Sequence, residues 1–301
     1  MASDETRQAV VGYRDAMTYV QQAPRMDFFE YSETLLSTVH FMITRYQPAK
    51  WPGRYRTGGI FVTSADPLEP AYTGPDAERV PGLMHELIEW LRDGDLGAPA
   101  YARAAMAHLN VVGIHPWRDG NGRTARALHT LVLARTGELV PEFSSIEEWL
   151  GEHINTIQYY EALRSVQGGS FQPERDAHSW LRFVFTAHHR QAQRVKRRSE
   201  WTIRLWTDWR GWPASVGCPS GWSPLSMPPR WANSGEPRIN RMRASAATKQ
   251  FATSRHLTRA ELLTSRGNAA TRVYLPAGDA TEIAAAATAA VRRPGRDPYA
   301  T

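Results

Sequence analysis

Cysteine is almost absent from this 301-residue chain: Cys218 stands alone, so no intramolecular disulfide framework can form, and the chain suits a reducing compartment. Long apolar runs are lacking as well. No window approaches the roughly 20 apolar residues that a membrane span needs. The first residues, Met1-Ala2-Ser3-Asp4-Glu5, lack the basic-then-apolar pattern of a secretory signal, and a cytoplasmic location is expected. Lysine is scarce, three of 36 basic residues, so arginine carries the positive charge. No internal repeat is present.

What is there is enough for two domains or one large one, with 42% apolar residues. The net charge of +6 conceals an asymmetry. Residues 1–193 carry a net −5 and residues 194–301 a net +11. The front is an ordinary acidic globule and the basicity belongs to the tail. A basic tail admits nucleic acid as a partner, although an arginine-rich coding bias is the plainer reading.

Apolar periodicity predicts a mainly helical front. Residues 5–22 form a first helix through Val10, Val11, Ala16, Met17 and Val20, ended by Pro24. Residues 27–46 form a second, with Phe28, Leu35, Leu36, Val39, Phe41 and Ile43 inside. Pro52-Gly53 marks a turn, Gly58-Gly59-Ile60-Phe61-Val62 a short strand, and residues 64–81 a proline-punctuated loop. Helices follow over 82–93, 99–113 and, up to a stop at Gly137, the stretch after His115. Two more cover 145–167 and 174–197.

Residues 199–237 hold six of the eleven tryptophans and six prolines without a helical or alternating period. Either a Trp-anchored linker or an out-of-frame stretch would read this way. Beyond it, two short helices over 239–264, a turn at Arg266-Gly267-Asn268 and a strand at 272–276 suggest a winged-helix remnant, followed by an alanine-rich helix over 281–291. The domain plan is thus 1–198, 199–237 and 238–301.

The chemistry concentrates in His115-Pro116-Trp117-Arg118-Asp119-Gly120-Asn121-Gly122-Arg123-Thr124-Ala125-Arg126. A polar turn opening a helix is an anion site, because the first N–H groups of a helix have no internal partners. Gly120, Asn121 and Gly122 let backbone amides converge on an anion. Arg123 and Arg126, three apart, can face one side and pair with phosphate oxygens. Asp119 can hold a divalent cation that bridges phosphates, or cap the helix. His115 can act as a general base, or be a satisfied core histidine. Each feature alone is ordinary; their joint spacing favours a phosphate site.

This stretch resembles the signature of the Fic (Fido) family, His-x-Phe-x-Asp/Glu-Gly-Asn-Gly-Arg-x-x-Arg, departing from it only at Trp117, where the family has phenylalanine. Pro52-Gly53-Arg54-Tyr55-Arg56 with Ile60-Phe61-Val62 resembles the family's flap, and Gly12-Tyr13-Arg14-Asp15-Ala16 its early helix. Tyr159-Tyr160 lies where members have a nucleotide-contacting tyrosine. The resemblance covers about residues 8–195. It implies a mainly α Fic-fold bundle with a small β-hairpin flap, here followed by the irregular segment and the winged-helix-like region.

The activity it implies is a protein adenylyltransferase that moves AMP from ATP to a serine, threonine or tyrosine hydroxyl. His115 would be the base and Asp119 the Mg²⁺ ligand. Gly120, Asn121, Gly122, Arg123, Arg126 and Tyr159 would bind nucleotide. Gly59, Ile60, Phe61, Val62 and Thr63 would pair with the target as a strand. Gly122 argues against the kinase-like Doc branch, which has lysine there. Phosphocholine transfer and a DNA-binding regulator with a Fic shell are the alternatives. The family's inhibitory Ser/Thr-x-x-x-Glu-Gly/Asn helix is not found before the early helix. Ser144-Ser145-Ile146-Glu147-Glu148 fits its loose spacing only by chance on this reading, leaving inhibition to a separate partner or to an upstream start.

Overall fold

A computed structural model describes residues 4–62, 71–137 and 145–210, together with parts of 261–289. Contacts divide the chain between Ala192 and Gln193 into two compact units, close to where the charge changes sign.

The first unit is a helical bundle. Helix α1 (Asp4–Gln22) is followed by α2 (Glu33–Thr44), then by strands β1 (Phe61–Val62) and β2 (Tyr72–Thr73). Helices α3 (Val80–Asp93), α4 (Ala100–Ile114), α5 (Asn121–Thr136), α6 (Glu147–Leu150), α7 (His153–Gln167) and α8 (His178–Arg210) complete the described order. Helix α2 starts six residues later than its apolar pattern predicts. Ser32 caps it, its hydroxyl accepting from the Leu35 N–H at 3.1 Å. Phe28 is consequently outside the helix and 85% exposed, and Phe41 faces outward, so neither joins the core as expected. The helix predicted over 145–167 is broken at Gly151 into α6 and α7. Gly137 stops α5 as expected, in the left-handed region at φ 68°.

Helices α4 and α5 are the most extensively packed pair among the described elements. Small residues let them approach: Ala104, Ala105 and Ala107 on α4 and Ala125 and Ala127 on α5 are sealed from solvent. Leu128, Leu131, Val132 and Leu133 fill the space around them. Helix α1 approaches α2 at Gly12, where an added Cβ would come within 2.6 Å of the Met42 carbonyl. Trp180 of α8 is fully buried and donates from its indole to the Ala105 carbonyl at 2.8 Å. Because α4 and α5 flank the His115 stretch, their packing fixes where it begins and ends.

The strands form an antiparallel pair, Phe61 opposite Thr73 and Val62 opposite Tyr72. Its base is anchored from two sides. The Tyr72 hydroxyl donates to the Gly113 carbonyl of α4 at 2.5 Å, and the Thr73 N–H to the Gly169 carbonyl at 2.8 Å. Thr63 and residues 64–70 lie outside the described residues; the rest of the loop expected over 64–81 holds β2, and α3 begins at Val80, before its end.

Helix α8 corrects the expectation for residues 199–210, which continue it. Trp201 and Leu205 stand four apart, a helical spacing that the abundance of tryptophan obscured. Residues 211–237, Cys218 and the helices expected over 239–260 lie outside the described residues. In the second unit, strand β3 (Leu263–Arg266) pairs antiparallel with β4 (Val273–Pro276), Leu263 opposite Pro276. Residues 263–264 are therefore strand, not the end of a helix. The described residues between 281 and 289 are helical, as expected. No helix among the described residues is long and apolar enough to cross a membrane.

Leu131 is fully buried on α5. Leu131→Ala is expected to lower the unfolding free energy by about 2–5 kcal/mol, measured by urea titration.

Candidate functional site

Helix α4 ends at Ile114 and the chain turns sharply at His115, whose φ of 51° is left-handed. The helix still holds this residue through its N–H, which donates to the Val111 carbonyl at 2.9 Å. The ring sits 3.1 Å from the Val112 carbonyl through Nδ1. A carbonyl can only accept, so Nδ1 carries the proton and Nε2 is left with its lone pair. Burial holds the His115 pKa below the ordinary 6.5, and the Arg56 charge adds to this; the Val112 bond and Asp119 oppose it. The imidazole is neutral at pH 7, the form a general base needs.

Arg56 fastens this residue to the flap. It is 4% exposed. Its Nε donates to the His115 carbonyl at 2.9 Å and its terminal nitrogens to the carbonyls of Gly58 at 2.8 Å and Pro75 at 2.5 Å. Its own N–H donates to the Pro116 carbonyl at 2.9 Å. One guanidinium thus satisfies buried carbonyls from both arms of the hairpin and from the motif.

The loop between His115 and α5 is held from inside. Trp117 is fully buried and stacks on His40, centroids 4.4 Å apart and planes at 6°. His40 is also fully buried; its Nδ1 accepts from the Gly53 N–H at 2.8 Å. That leaves Nε2 to donate to the Asp119 carbonyl at 2.9 Å. Burial lowers the His40 pKa to about 4, keeping this donor–acceptor pattern fixed at neutral pH. Asn121 completes the loop. Its side-chain oxygen accepts from the Trp117 N–H at 2.9 Å and its amide donates to the Trp117 carbonyl at 2.7 Å. Gly120, at φ 78°, is required: an added Cβ would meet Thr44 Cγ2 at 2.7 Å and His40 Nε2 at 3.3 Å.

The result is a helix N-terminus whose amides at Asn121, Gly122 and Arg123 precede any intrahelical acceptor. The Gly120 N–H is taken by Asp119 Oδ1 at 2.5 Å, and Thr124 donates to the Gly120 carbonyl at 2.9 Å. Gly122 is open: a Cβ there would touch only Arg126, at 3.7 Å. Arg123 lies between the Tyr46 hydroxyl at 3.0 Å and Asp119 Oδ1 at 3.4 Å. Asp119 Oδ2 is outside these bonds. The carboxylate is 40% exposed, so it fits a monodentate Mg²⁺ contact completed by phosphate and water oxygens.

Arg126 is not free. Its Nε lies 3.0 Å from Glu147 of α6, over the ring of Tyr13. Burial alone would lower the Arg126 pKa, but Glu147, Tyr13 and Tyr159 outweigh it and raise the value. Burial, then the Glu147 charge, pushes the Tyr13 hydroxyl up. The glutamate in the segment set aside on spacing therefore reaches the motif. It is Glu147 rather than the Glu148 that the spacing matched; Glu148 accepts from Gln191 at 3.3 Å.

Most expected site residues converge: His115, Asp119, Gly120, Asn121, Gly122, Arg123 and Arg126 line one loop–helix junction. Two depart in detail. The Asn121 side chain is 2% exposed and spent on Trp117, leaving its backbone N–H for an anion. Tyr159 is 4% exposed, pushed up to about 12 mainly by burial, with its hydroxyl 2.9 Å from His108 Nε2; its neighbour Tyr160 is the exposed ring. On the flap, Gly59 and Ile60 precede β1, whose Phe61 and Val62 are exposed, and Thr63 lies outside the described residues. His40, Arg56, Tyr46 and Glu147 carry supporting roles that sequence reading missed. Only Arg56 had a signal, its place in the flap-like segment.

Residues 30–133 match the model of the Fic/DOC family. The chain is 33% identical over 122 residues to the Caenorhabditis elegans protein adenylyltransferase fic-1, covering 40% of this chain and 21% of that protein. Over 183 residues it is 28% identical to protein adenylyltransferase Fic of Nematostella vectensis, covering 58% and 36%. The chain thus spans about a fifth to a third of these relatives. A crystal structure of a Fic family protein from Desulfovibrio desulfuricans shares the fold, with a TM-score of 0.54 at 17% identity over 92% of this chain and 77% of that one.

The Glu147 carboxylate holds the Nε of Arg126, whose guanidinium lies beside Gly122 at the start of α5. Glu147→Gln is expected to tighten pyrophosphate binding by about tenfold, equivalent to ~1.4 kcal/mol, in a calorimetric titration; unchanged affinity would show that the pair does not compete with the anion.

Proposed function

We propose that this chain is a protein adenylyltransferase that transfers AMP from ATP to a hydroxyl side chain of another protein. The observation that carries the reading is the tautomer of His115: a neutral imidazole with Nε2 unprotonated, fixed beside the open amides of α5. Relatives named as protein adenylyltransferases support it. The open position at Gly122 leaves the helix N-terminus clear for phosphate oxygens.

In this mechanism His115 Nε2 takes the proton of the target hydroxyl as its oxygen attacks the α-phosphorus in line. The bond from that phosphorus to the bridging oxygen breaks and pyrophosphate leaves. The products are an AMP ester on the target and a protonated His115, which returns its proton to solvent. The amides of Asn121, Gly122 and Arg123 hold phosphate oxygens, and the Arg123 and Arg126 guanidiniums balance charge on the departing pyrophosphate. Asp119 would hold Mg²⁺, which supplies Lewis-acid charge neutralisation across the phosphates. Tyr46 keeps Arg123 directed to the site. The target chain adds as a strand along the flap at Gly59–Val62, which leaves specificity largely to backbone pairing.

ATP labelled at the α-phosphate, with Mg²⁺, is expected to label a protein in a lysate or the enzyme itself, and ATP labelled at the γ-phosphate is not. His115→Ala should reduce that labelling about 10²–10⁴-fold; equal labelling by both proteins removes His115 as the base. The pH profile of kcat/KM follows from the same residue. The lowered pKa places the acid limb below the ordinary 6.5, with rate rising as His115 loses its proton and flat through neutrality. An acid limb centred above 6.5 would contradict this assignment.

A further inference from the structure

Several arginines of the first unit sit beside carboxylates. Arg14 and Arg45 share Asp15, Arg92 meets Glu30, Arg123 meets Asp119 and Arg126 meets Glu147. Two exposed arginines next to the motif do not. Arg118, inside the motif loop, lies with its Cζ 3.3 Å from the centre of the Trp51 ring. Arg54 approaches the same indole at 5.5 Å. Among the described residues neither has a carboxylate partner. Lys50 directly precedes Trp51 and is exposed and unpaired as well.

The nearby acids are committed elsewhere. Glu33 accepts from the Tyr55 hydroxyl at 3.2 Å and faces His85 at 3.5 Å. Asp119 is bonded to the Gly120 N–H. Two guanidiniums around one indole concentrate positive charge, and carboxylates would relieve that concentration. The Trp51 ring restrains Arg118 most closely, so part of the ordering cost of binding is already met there. Trp51 itself is held in a left-handed turn at φ 56°, its N–H bonded to the Pro48 carbonyl at 3.1 Å.

Position says what kind of anion fits. Residues 51–62 form one segment, with Trp51 and Arg54 at one end and strand β1 at the other. Between them Arg56 is bonded to the His115 carbonyl. At about 3.3 Å per residue in extended chain, Arg54 and Phe61 are at most ~23 Å apart, the length of a seven- or eight-residue peptide. We propose that the protein substrate carries a cluster of carboxylates beside the modified hydroxyl, and that Arg54 and Arg118, both beside Trp51, take up those carboxylates while the adjoining residues pair with β1. The patch thereby selects an acidic polypeptide segment. A nucleic acid would need a longer run of cations to follow its phosphates. This inference rests on the adenylyltransferase reading for its substrate, and on the patch geometry for its chemistry.

The test is a binding assay without nucleotide, using the full chain and fluorescein-labelled peptides read by anisotropy. One peptide is Gly-Asp-Glu-Asp-Gly-Val-Thr-Val-Thr-Val. A second replaces Asp-Glu-Asp with Ser-Asn-Ser, and a third with Lys-Lys-Lys. The acidic peptide is expected to bind about tenfold more tightly than the neutral one at roughly 50 mM salt, with the difference shrinking at higher salt. The double variant Arg54→Glu, Arg118→Glu should lose this preference and favour the lysine peptide instead, a reversal that misfolding would not give. Equal affinity of the wild-type protein for acidic and neutral peptides would overturn the inference, as would an acidic preference that survives in the double variant. Displacement of the acidic peptide by a short DNA duplex or by pyrophosphate at matching concentration would also overturn it, since the site would then be a general anion sink. The two readings fail separately. Without AMP transfer but with the peptide preference intact, the adenylyltransferase reading falls and the patch stands; with transfer present and the preference absent, the patch falls alone.

Discussion

A single buried imidazole carries much of the site. His40 joins the Gly53 turn to the Asp119 carbonyl, one bond on each ring nitrogen, while Trp117 covers its face. Protonation would convert the acceptor Nδ1 into a donor aimed at the Gly53 N–H. Burial prevents this at neutral pH by holding the pKa near 4. The flap approach and the motif loop are therefore tied to one hydrogen-bonding pattern. Gly120 depends on it directly, because the space a side chain would need is filled by His40 and Thr44. Arg56 makes the second tie, from the hairpin to the His115 carbonyl. Between them, two interior polar groups locate His115 at the end of α4 and the open amides at the start of α5.

The sequence made some of this legible and hid the rest for physical reasons. Helices α3, α4 and α5 follow apolar spacing closely, since each buries one face against the bundle; in α1, Ala16 and Val20 are buried but Val10 and Val11 of the expected stripe face solvent. The start of α2 is set by the Ser32 cap, a local hydrogen bond that apolar spacing does not report. Phe28 and Phe41 mislead because aromatic residues are exposed here that periodicity would place inside. The continuation of α8 to Arg210 was hidden by a tryptophan-rich composition that resembles a linker. The His115–Arg126 stretch was readable because its residues are contiguous. His40 and Arg56 were not readable as supports, because their partners lie 79 and 59 residues away along the chain. The same holds for Glu147, whose partner Arg126 is 21 residues distant and whose spacing matched the wrong neighbour.

Trp117 shows how a departure from a family pattern is absorbed. The larger ring stacks on His40 and tilts toward Tyr55 at 6.1 Å, while its indole N–H is buried without a partner. An unsatisfied buried donor costs stability. The extended aromatic contact offsets that cost, and Asn121 adds two hydrogen bonds to the same residue's backbone. The motif keeps its shape through different packing.

The pairing of Arg126 with Glu147 also has a thermodynamic side. Helix α6 is a single turn, Glu147–Leu150, joined to α7 through Gly151 and Glu152. An anion that draws the Arg126 guanidinium away from this carboxylate would link anion affinity and the position of α6 in one equilibrium. Linkage is reciprocal. Any protein or mutation that draws α6 away strengthens phosphate binding by the same factor by which phosphate loosens α6. A short helix outside the motif would thus become a tuning element whose setting is read as anion affinity.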